Sequence, residues 1–222
     1  MISVDCEGLT ILIRHKAEFA GDFVYFKPRK SEGKRRWLFL KQFFEKPSEV
    51  ASVMPSSSNL VVGLLKGYDF ESMKLVIEYG PGTGAITYKI LEKMPKNAKF
   101  VAAEPNPVFR GHLVEEMLPI EIIPDYAQNI ATTVLERYGS ADLVVSGLPC
   151  SIMSLDVLRD LFDSTKKLLR NGGEFRMFIY THTLVMPKMH RMLALLRSKF
   201  SKIETEVIWQ NIPPATIIRC TK

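Results

Sequence analysis

The sequence predicts an α/β fold, with a seven-stranded, mostly parallel sheet ending in an antiparallel hairpin and helices at the N-terminal side. Three observations carry this expectation. From residue 75 onward, short β-rich runs alternate five times with helical runs. The first of these strands runs directly into a glycine-rich turn, LVIEYGPGTG at 75–84. The last two β-rich runs, KIETEVIWQ and TIIRC, are separated by NIPPA, too short for a crossover helix, so they should pair antiparallel.

Taken in order, LVIEYG (75–80) reads as a strand and 83–94 as a helix; KFVAAEP (99–105) is a strand and 107–118 a helix. IEIIP (120–124) is a strand and 126–138 a helix, and ADLVVSGLP (141–149) is a strand before a helix at 154–170, closed by Asn171-Gly172-Gly173. EFRMFIYT (174–181) is the fifth strand, followed by a helix at 187–199 and then the hairpin. Strictly alternating βα units require a parallel sheet with helices on both faces. Upstream, 34–46 and 58–66 read as helices, the second ended by Gly67, whereas residues 1–33 follow no usable pattern. The expected organisation is an N-terminal extension (1–33), a helical segment (34–74) and a ligand-binding domain (75–222).

At 222 residues and 46% hydrophobic, the chain can build one full α/β core. No apolar run approaches the roughly 20 residues of a membrane span, and Asp5 and Glu7 stand where a signal peptide would be basic, so the expectation is a cytoplasmic protein. Cys6, Cys150 and Cys220 are far apart without C-x-x-C spacing, which suggests reduced thiols and no zinc or other metal site. The formal net charge of +6 has one source: between Lys27 and Lys46 stand eight basic residues against two acidic ones. An anionic partner should therefore meet the N-terminal region first.

The turn reads E-x-G-x-G-x-G, from Glu78 through Gly80, Pro81, Gly82 and Gly84. Its glycine spacing suits a broad loop beside an amino-acid moiety better than a tight turn on a pyrophosphate. Glu104 follows the next strand, where a carboxylate can accept from both hydroxyls of a ribose; NAD would be served equally well. Asp125, with Tyr126 beside it, follows the third strand. There a carboxylate either accepts an adenine amine or caps the helix at 126–138. SGLPCSIMS (146–154), beginning at Ser146, follows the fourth strand and would form the floor where substrate meets ligand, or an ordinary loop.

IEYGPGTG, AAEPNP, PDYA and VVSGLPCSI resemble, in order and spacing, S-adenosylmethionine-dependent methyltransferases of two related groups with Rossmann-like class I folds. In the ribosomal RNA adenine dimethyltransferases the fourth motif reads like VVSNLPYNIS; in the soluble bacterial phospholipid N-methyltransferases it reads like VVSGLP. Adenine methylation uses the asparagine to orient the amine and the aromatic to stack on the base. This chain has Gly147 and Cys150 in those places, which argues against adenine. The resemblance to the phospholipid enzymes covers roughly 37–219 and extends to WLFLKQFFEKPSEVASVMPSSSNLV, FRMFIYTH and IWQNIPPATIIR. Pro124, Tyr126 and His182 depart from the small residues usual at those positions.

The resemblance implies methylation of the amine of phosphatidylethanolamine or a similar amino lipid, with S-adenosyl-L-methionine as cofactor and S-adenosyl-L-homocysteine as product. Tyr180, ending the fifth strand, is the first candidate to orient the amine and His182 the second; the bland readings are a core tyrosine and a surface histidine. Such an enzyme would bind the inner face of the membrane peripherally. On a helical wheel of 34–46, Trp37, Phe39, Leu40, Phe43 and Phe44 share an arc. Arg35, Arg36, Trp37, Lys41 and Phe44 are the residues expected to meet an anionic leaflet, unless the arc packs on the domain instead. The rivals are an RNA methyltransferase, which the basic segment would suit, a non-enzymatic membrane-binding protein, and an NAD-dependent dehydrogenase.

Overall fold

A computed structural model describes residues 58–116 and 118–222, and the backbone of residues 5, 6, 9 and 10. The chain divides into two compact units, Met1–Gly33 and Lys34–Lys222. Within the first, β1 (Asp5–Cys6) pairs antiparallel with β2 (Leu9–Thr10). The expected helix at 34–46, with Arg35, Arg36, Trp37, Lys41 and Phe44, lies outside the described residues.

The second unit holds a seven-stranded sheet. In chain order its elements are α1 (Ser58–Leu65), β3 (Leu75–Tyr79), α2 (Ala85–Leu91), β4 (Lys99–Ala103), α3 (Pro107–Glu115) and β5 (Glu121–Ile123). These are followed by α4 (Ala131–Tyr138), β6 (Ala141–Ser146), α5 (Leu155–Leu168), β7 (Leu169–Tyr180), α6 (Pro187–Lys199), β8 (Lys202–Ile208) and β9 (Ala215–Thr221). The strand order is β5-β4-β3-β6-β7-β9-β8, with β9 antiparallel to both neighbours. All seven expected strands form, and the terminal hairpin closes the sheet as the short NIPPA connection requires.

Strand side chains alternate between two faces. Ile77, Tyr79, Val144, Phe175, Met177 and Ile218 meet α4, α5 and α6 on one face, while Val76, Phe100, Val145, Phe178 and Ile217 meet α1 and α2 on the other. Helix α1 is therefore a structural layer of the sheet. Its approach is close: a Cβ at Gly63 would sit 2.9 Å from the side chains of Ile208 and Ile217. Two arginines, Arg176 buried and Arg219 partly so, hold its C-terminal turn, where unpaired carbonyls need donors. Arg176 donates to the carbonyls of Leu64 (3.0 Å) and Lys66 (2.9 Å), and Arg219 to that of Gly63 (2.8 Å).

Local chemistry sets the helix starts. Asn106 accepts from the Val108 N–H with Pro107 in the first turn, and Ser154 accepts from that of Val157. Two expectations need correction. Asn171-Gly172-Gly173 does not close a helix but lies inside β7, because the chain's last strand supplies its backbone partners: Gly172 donates to the Lys222 carbonyl and Lys222 to that of Gly173. The β6–β7 register shifts here, and a Cβ at Gly173 would crowd the carbonyls of Arg170, Ala141 and Asp142 at 3.0–3.2 Å. The helix expected at 126–138 is broken into a single 3-10 turn (Ala127–Asn129) and α4.

Candidate active site

The sheet reverses its order between β3 and β6, and a crevice opens at the carboxyl ends of the strands at such a point. The parallel strands carry every sequence-predicted cofactor and catalytic residue to this one edge. Glu78 lies in β3 with Gly80, Pro81, Gly82 and Gly84 after it; Glu104 follows β4, Asp125 and Tyr126 follow β5, Ser146 ends β6 and Tyr180 ends β7.

The turn has the left-handed geometry that favours glycine. Gly80, Gly82 and Gly84 take φ of 66°, 53° and 82°, and the Gly84 N–H closes the loop on the Pro81 carbonyl at 2.8 Å. A Cβ on Gly80 would strike Leu148, whereas one on Gly82 would meet nothing within 4 Å. Gly82 thus borders open space at the head of α2.

Two carboxylates serve this turn. Glu78 is fully buried; its Oε2 accepts from the Thr87 hydroxyl at 2.7 Å, while Oε1 has no hydrogen-bond partner. Burial, reinforced by the nearby Glu104 charge, pushes its carboxyl up to about 8. Glu104 accepts from the Gly82 N–H at 3.2 Å and the Asn106 N–H at 2.9 Å. Burial raises its carboxyl above the usual range, partly offset by those two bonds and by Arg110. Each Glu104 oxygen thus carries one backbone bond and keeps capacity for another donor. Arg110 donates to the carbonyls of Glu104 and Pro105, fixing the end of β4.

Asp125 accepts from the Tyr126 N–H and, at 2.8 Å, from the Asn129 side chain. It therefore braces the 3-10 turn and does not cap α4, whose N-cap position is Ile130. Tyr126 is exposed beside it. Ser146 is buried, and its hydroxyl accepts from the Leu148 N–H at 3.2 Å. Gly147 donates to the Tyr79 carbonyl at 2.9 Å, and a Cβ there would lie 2.9 Å from the Gly80 carbonyl. This backbone admits no side chain at 147, so the glycine that sets this motif apart from an asparagine motif is sterically required. Cys150 is buried in the core, its thiol pushed up to about 12, and is turned away from any stacking role.

Tyr180 is half-buried, and burial raises its hydroxyl above the ordinary phenol range. Its ring meets Phe178 edge-on and lies parallel to the exposed imidazole of His182, with centroids 5.9 Å apart and planes 13° apart. The β8–β9 connection reaches the same edge, where the Thr181 N–H donates to the Pro214 carbonyl.

Thr87, Asn106 and Arg110 were not legible as site-supporting residues. Thr87 stands one turn into α2 on the face toward β3, the signal by which it could have been found. A depression of about 590 Å³ lies at the opposite sheet edge, lined by Lys74, Lys99, Asp142 and Arg170. Its centre is structural: Asp142 accepts from the backbone N–H groups of Lys74 and Leu75 and from Arg170. Among the described residues no three His, Cys, Asp or Glu are grouped to hold a metal, and no helix is long and apolar enough to cross a membrane.

No protein-family model matches the chain. The chain is 29% identical over 189 residues to an ornithine lipid N-methyltransferase of Singulisphaera acidiphila, an alignment covering 83% of this chain and 94% of that protein. Among solved structures it is similar to a precorrin-6y C5,15-methyltransferase from Geobacter metallireducens (TM-score 0.58, 15% identity, 73% of this chain and 88% of that one). An O-methyltransferase family protein from Burkholderia thailandensis gives the same TM-score of 0.58 at 15% identity, over 88% of this chain and 64% of that one. These likenesses and the strand order give the chain the fold of these methyltransferases, with the E-x-G-x-G-x-G turn and Glu104 at the edge where that fold opens its crevice.

Proposed function

We propose that the chain N-methylates the primary amine of a membrane amino lipid, with phosphatidylethanolamine as substrate. The observation that carries this reading is Gly147, packed against the Gly80 carbonyl where an adenine methyltransferase would place an asparagine. Its lipid side is supported by the 29% identical relative, which acts on an ornithine lipid.

The residues present fit the cofactor. Glu78 offers a buried carboxylate oxygen without a partner, suited to the ammonium of an amino-acid moiety, and Gly82 borders the open space beside it. Glu104 would accept the ribose hydroxyls and Asp125 the adenine amine; Pro81 and Gly84 shape the turn, Tyr126 flanks the base and Ser146 holds the floor. S-adenosylmethionine, when bound, supplies an activated methyl on a sulfonium. The protein's work is to hold an amine in line and uncharged, since a protonated amine has no lone pair. Desolvation beside a cation favours the neutral amine. Tyr180 stays protonated at neutral pH and can orient the amine through its hydroxyl, with His182 stacked on its outer face. The basic aromatic segment around Arg35, Arg36, Trp37, Lys41 and Phe44 would bring the enzyme to an anionic membrane.

A second reading, ornithine lipid as substrate, is favoured by the relative's name. Both substrates present a primary amine. Label transfer from radiolabelled S-adenosylmethionine decides, with anionic vesicles holding phosphatidylethanolamine, the same vesicles holding ornithine lipid, and total RNA as separate acceptors. Label in phosphatidylethanolamine supports the first reading and label in ornithine lipid the second. Label in RNA alone overturns both.

A further inference from the structure

Three loops leave the substrate half of the carboxyl edge, and they share an unusual surface. They are 147–154 after β6, 181–186 after β7 and 209–214 between β8 and β9, on neighbouring strands of the sheet. The Thr181 N–H bonds to the Pro214 carbonyl, and Lys188 donates to the Ser151 carbonyl at 2.9 Å, tying the three together. Ile152, Val185, Met186, Trp209 and Ile212 all stand exposed on them. Val185, Ile212 and Trp209 are 83%, 77% and 70% exposed, beyond what scattered surface apolar residues need explaining.

Charge sorts the same way. No Asp or Glu occurs in 147–154, 181–191 or 209–214, whereas His182, Lys188, His190 and Arg191 do. The opposite sheet edge exposes both signs, Lys74, Lys93 and Lys99 together with Asp69, Glu71 and Glu92. Outside the loops the nearest acid, Asp156 in the first turn of α5, is paired with Arg159, so an apolar tip with no acid on the loops themselves complements an anionic lipid surface: apolar side chains enter the interface while basic ones meet headgroups.

We propose that these three loops are a membrane-contact face, seated on an anionic bilayer with Trp209, Val185 and Ile212 among the acyl chains' upper ends. The occupant is taken from the amino-lipid reading: a lipid amine at headgroup level reaches the β6–β7 edge when this edge lies against the bilayer. These loops are stretches of chain other than 34–46, and they place membrane contact at the mouth of the site itself.

Trp209 supplies the test, since the chain has two tryptophans and Trp37→Phe leaves it as the reporter. The single-tryptophan protein is mixed with vesicles of phosphatidylglycerol and phosphatidylcholine that contain no amino lipid, with and without brominated acyl chains. The expected result is a blue-shifted emission quenched by the brominated lipid, and at least a tenfold weaker vesicle partition for the Val185→Ser/Ile212→Ser variant with unchanged thermal unfolding. That variant should still methylate a short-chain, monomeric phosphatidylethanolamine as the parent does. Co-sedimentation with vesicles without quenching of Trp209 would overturn the proposal, as would absence of any vesicle binding by the parent protein with both tryptophans in place. A blue shift that follows protein concentration without vesicles would also overturn it, by naming a second copy as the occupant. Quenching without methylation of any amino lipid sinks the proposed substrate and upholds the face; methylation without quenching does the reverse.

Discussion

The Thr87 hydroxyl donates to Glu78 Oε2 at 2.7 Å and leaves Oε1, equally buried, unmatched. A helix one turn past the glycine turn thereby holds a strand carboxylate with one oxygen reserved. Replacing Thr87 with Val keeps the shape and removes the donor, leaving the carboxyl without its partner. The expected loss is about 1–3 kcal/mol of stability. S-adenosylhomocysteine affinity should fall about tenfold by calorimetry.

Glu78 also makes a pH prediction. Its folded value, about 8, lies above its ordinary 4.5 because of burial. The folded state therefore holds a proton that the unfolded state releases between those values, so this contribution is full below about 4.5 and is lost as pH rises through about 8. Glu78→Gln should flatten the decline of urea stability between pH 5 and about 8.5. A cationic ligand favours the ionised carboxyl, so cofactor binding near pH 7 should release a fraction of a proton, visible as buffer-dependent binding enthalpy in the parent and not in Glu78→Gln.

Gly147 and Gly82 should respond differently to alanine. At 147 the new Cβ meets the Gly80 carbonyl at 2.9 Å, so the cofactor turn must shift. At 82 it meets open space, and the penalty is backbone strain of about 1–2 kcal/mol. Gly147→Ala should weaken S-adenosylhomocysteine binding by more than tenfold through the displaced turn. Gly82→Ala should show its strain in thermal unfolding and a smaller binding loss.

Tyr180→Phe removes the hydroxyl while leaving the ring's contacts with Phe178 and His182. If the hydroxyl orients the amine, kcat on phosphatidylethanolamine vesicles falls about 10²-fold, within the range of positioned proton-handling groups, and cofactor affinity is unchanged. An unaltered kcat would reduce Tyr180 to a packing residue.

Arg176→Met should be among the most destabilising single changes, at about 3 kcal/mol in urea unfolding. The buried guanidinium bonds two carbonyls at the end of α1, pairs with Glu174 and lies over the Tyr68 ring. Its loss strands the carbonyls and the carboxylate together.

The strand count, the parallel order of the βα units and the antiparallel hairpin were legible because they follow from local periodicity and connection length. The position of the candidate carboxylates was legible for a related reason: a residue near the end of a parallel strand can only reach one edge of the sheet. Glu78, Glu104 and Tyr180 needed no contact map to be placed together. What sequence could not reach was whatever depends on partners distant along the chain. Asn171-Gly172-Gly173 reads as a helix stop until Lys222 arrives to pair with it, and Asp125 reads as a helix cap until Asn129 turns back onto it. Thr87, Arg110 and Arg176 acquire their roles only from the groups they face across the fold, because a hydrogen bond is set by distance in space, which one-dimensional spacing encodes only within a turn or a strand.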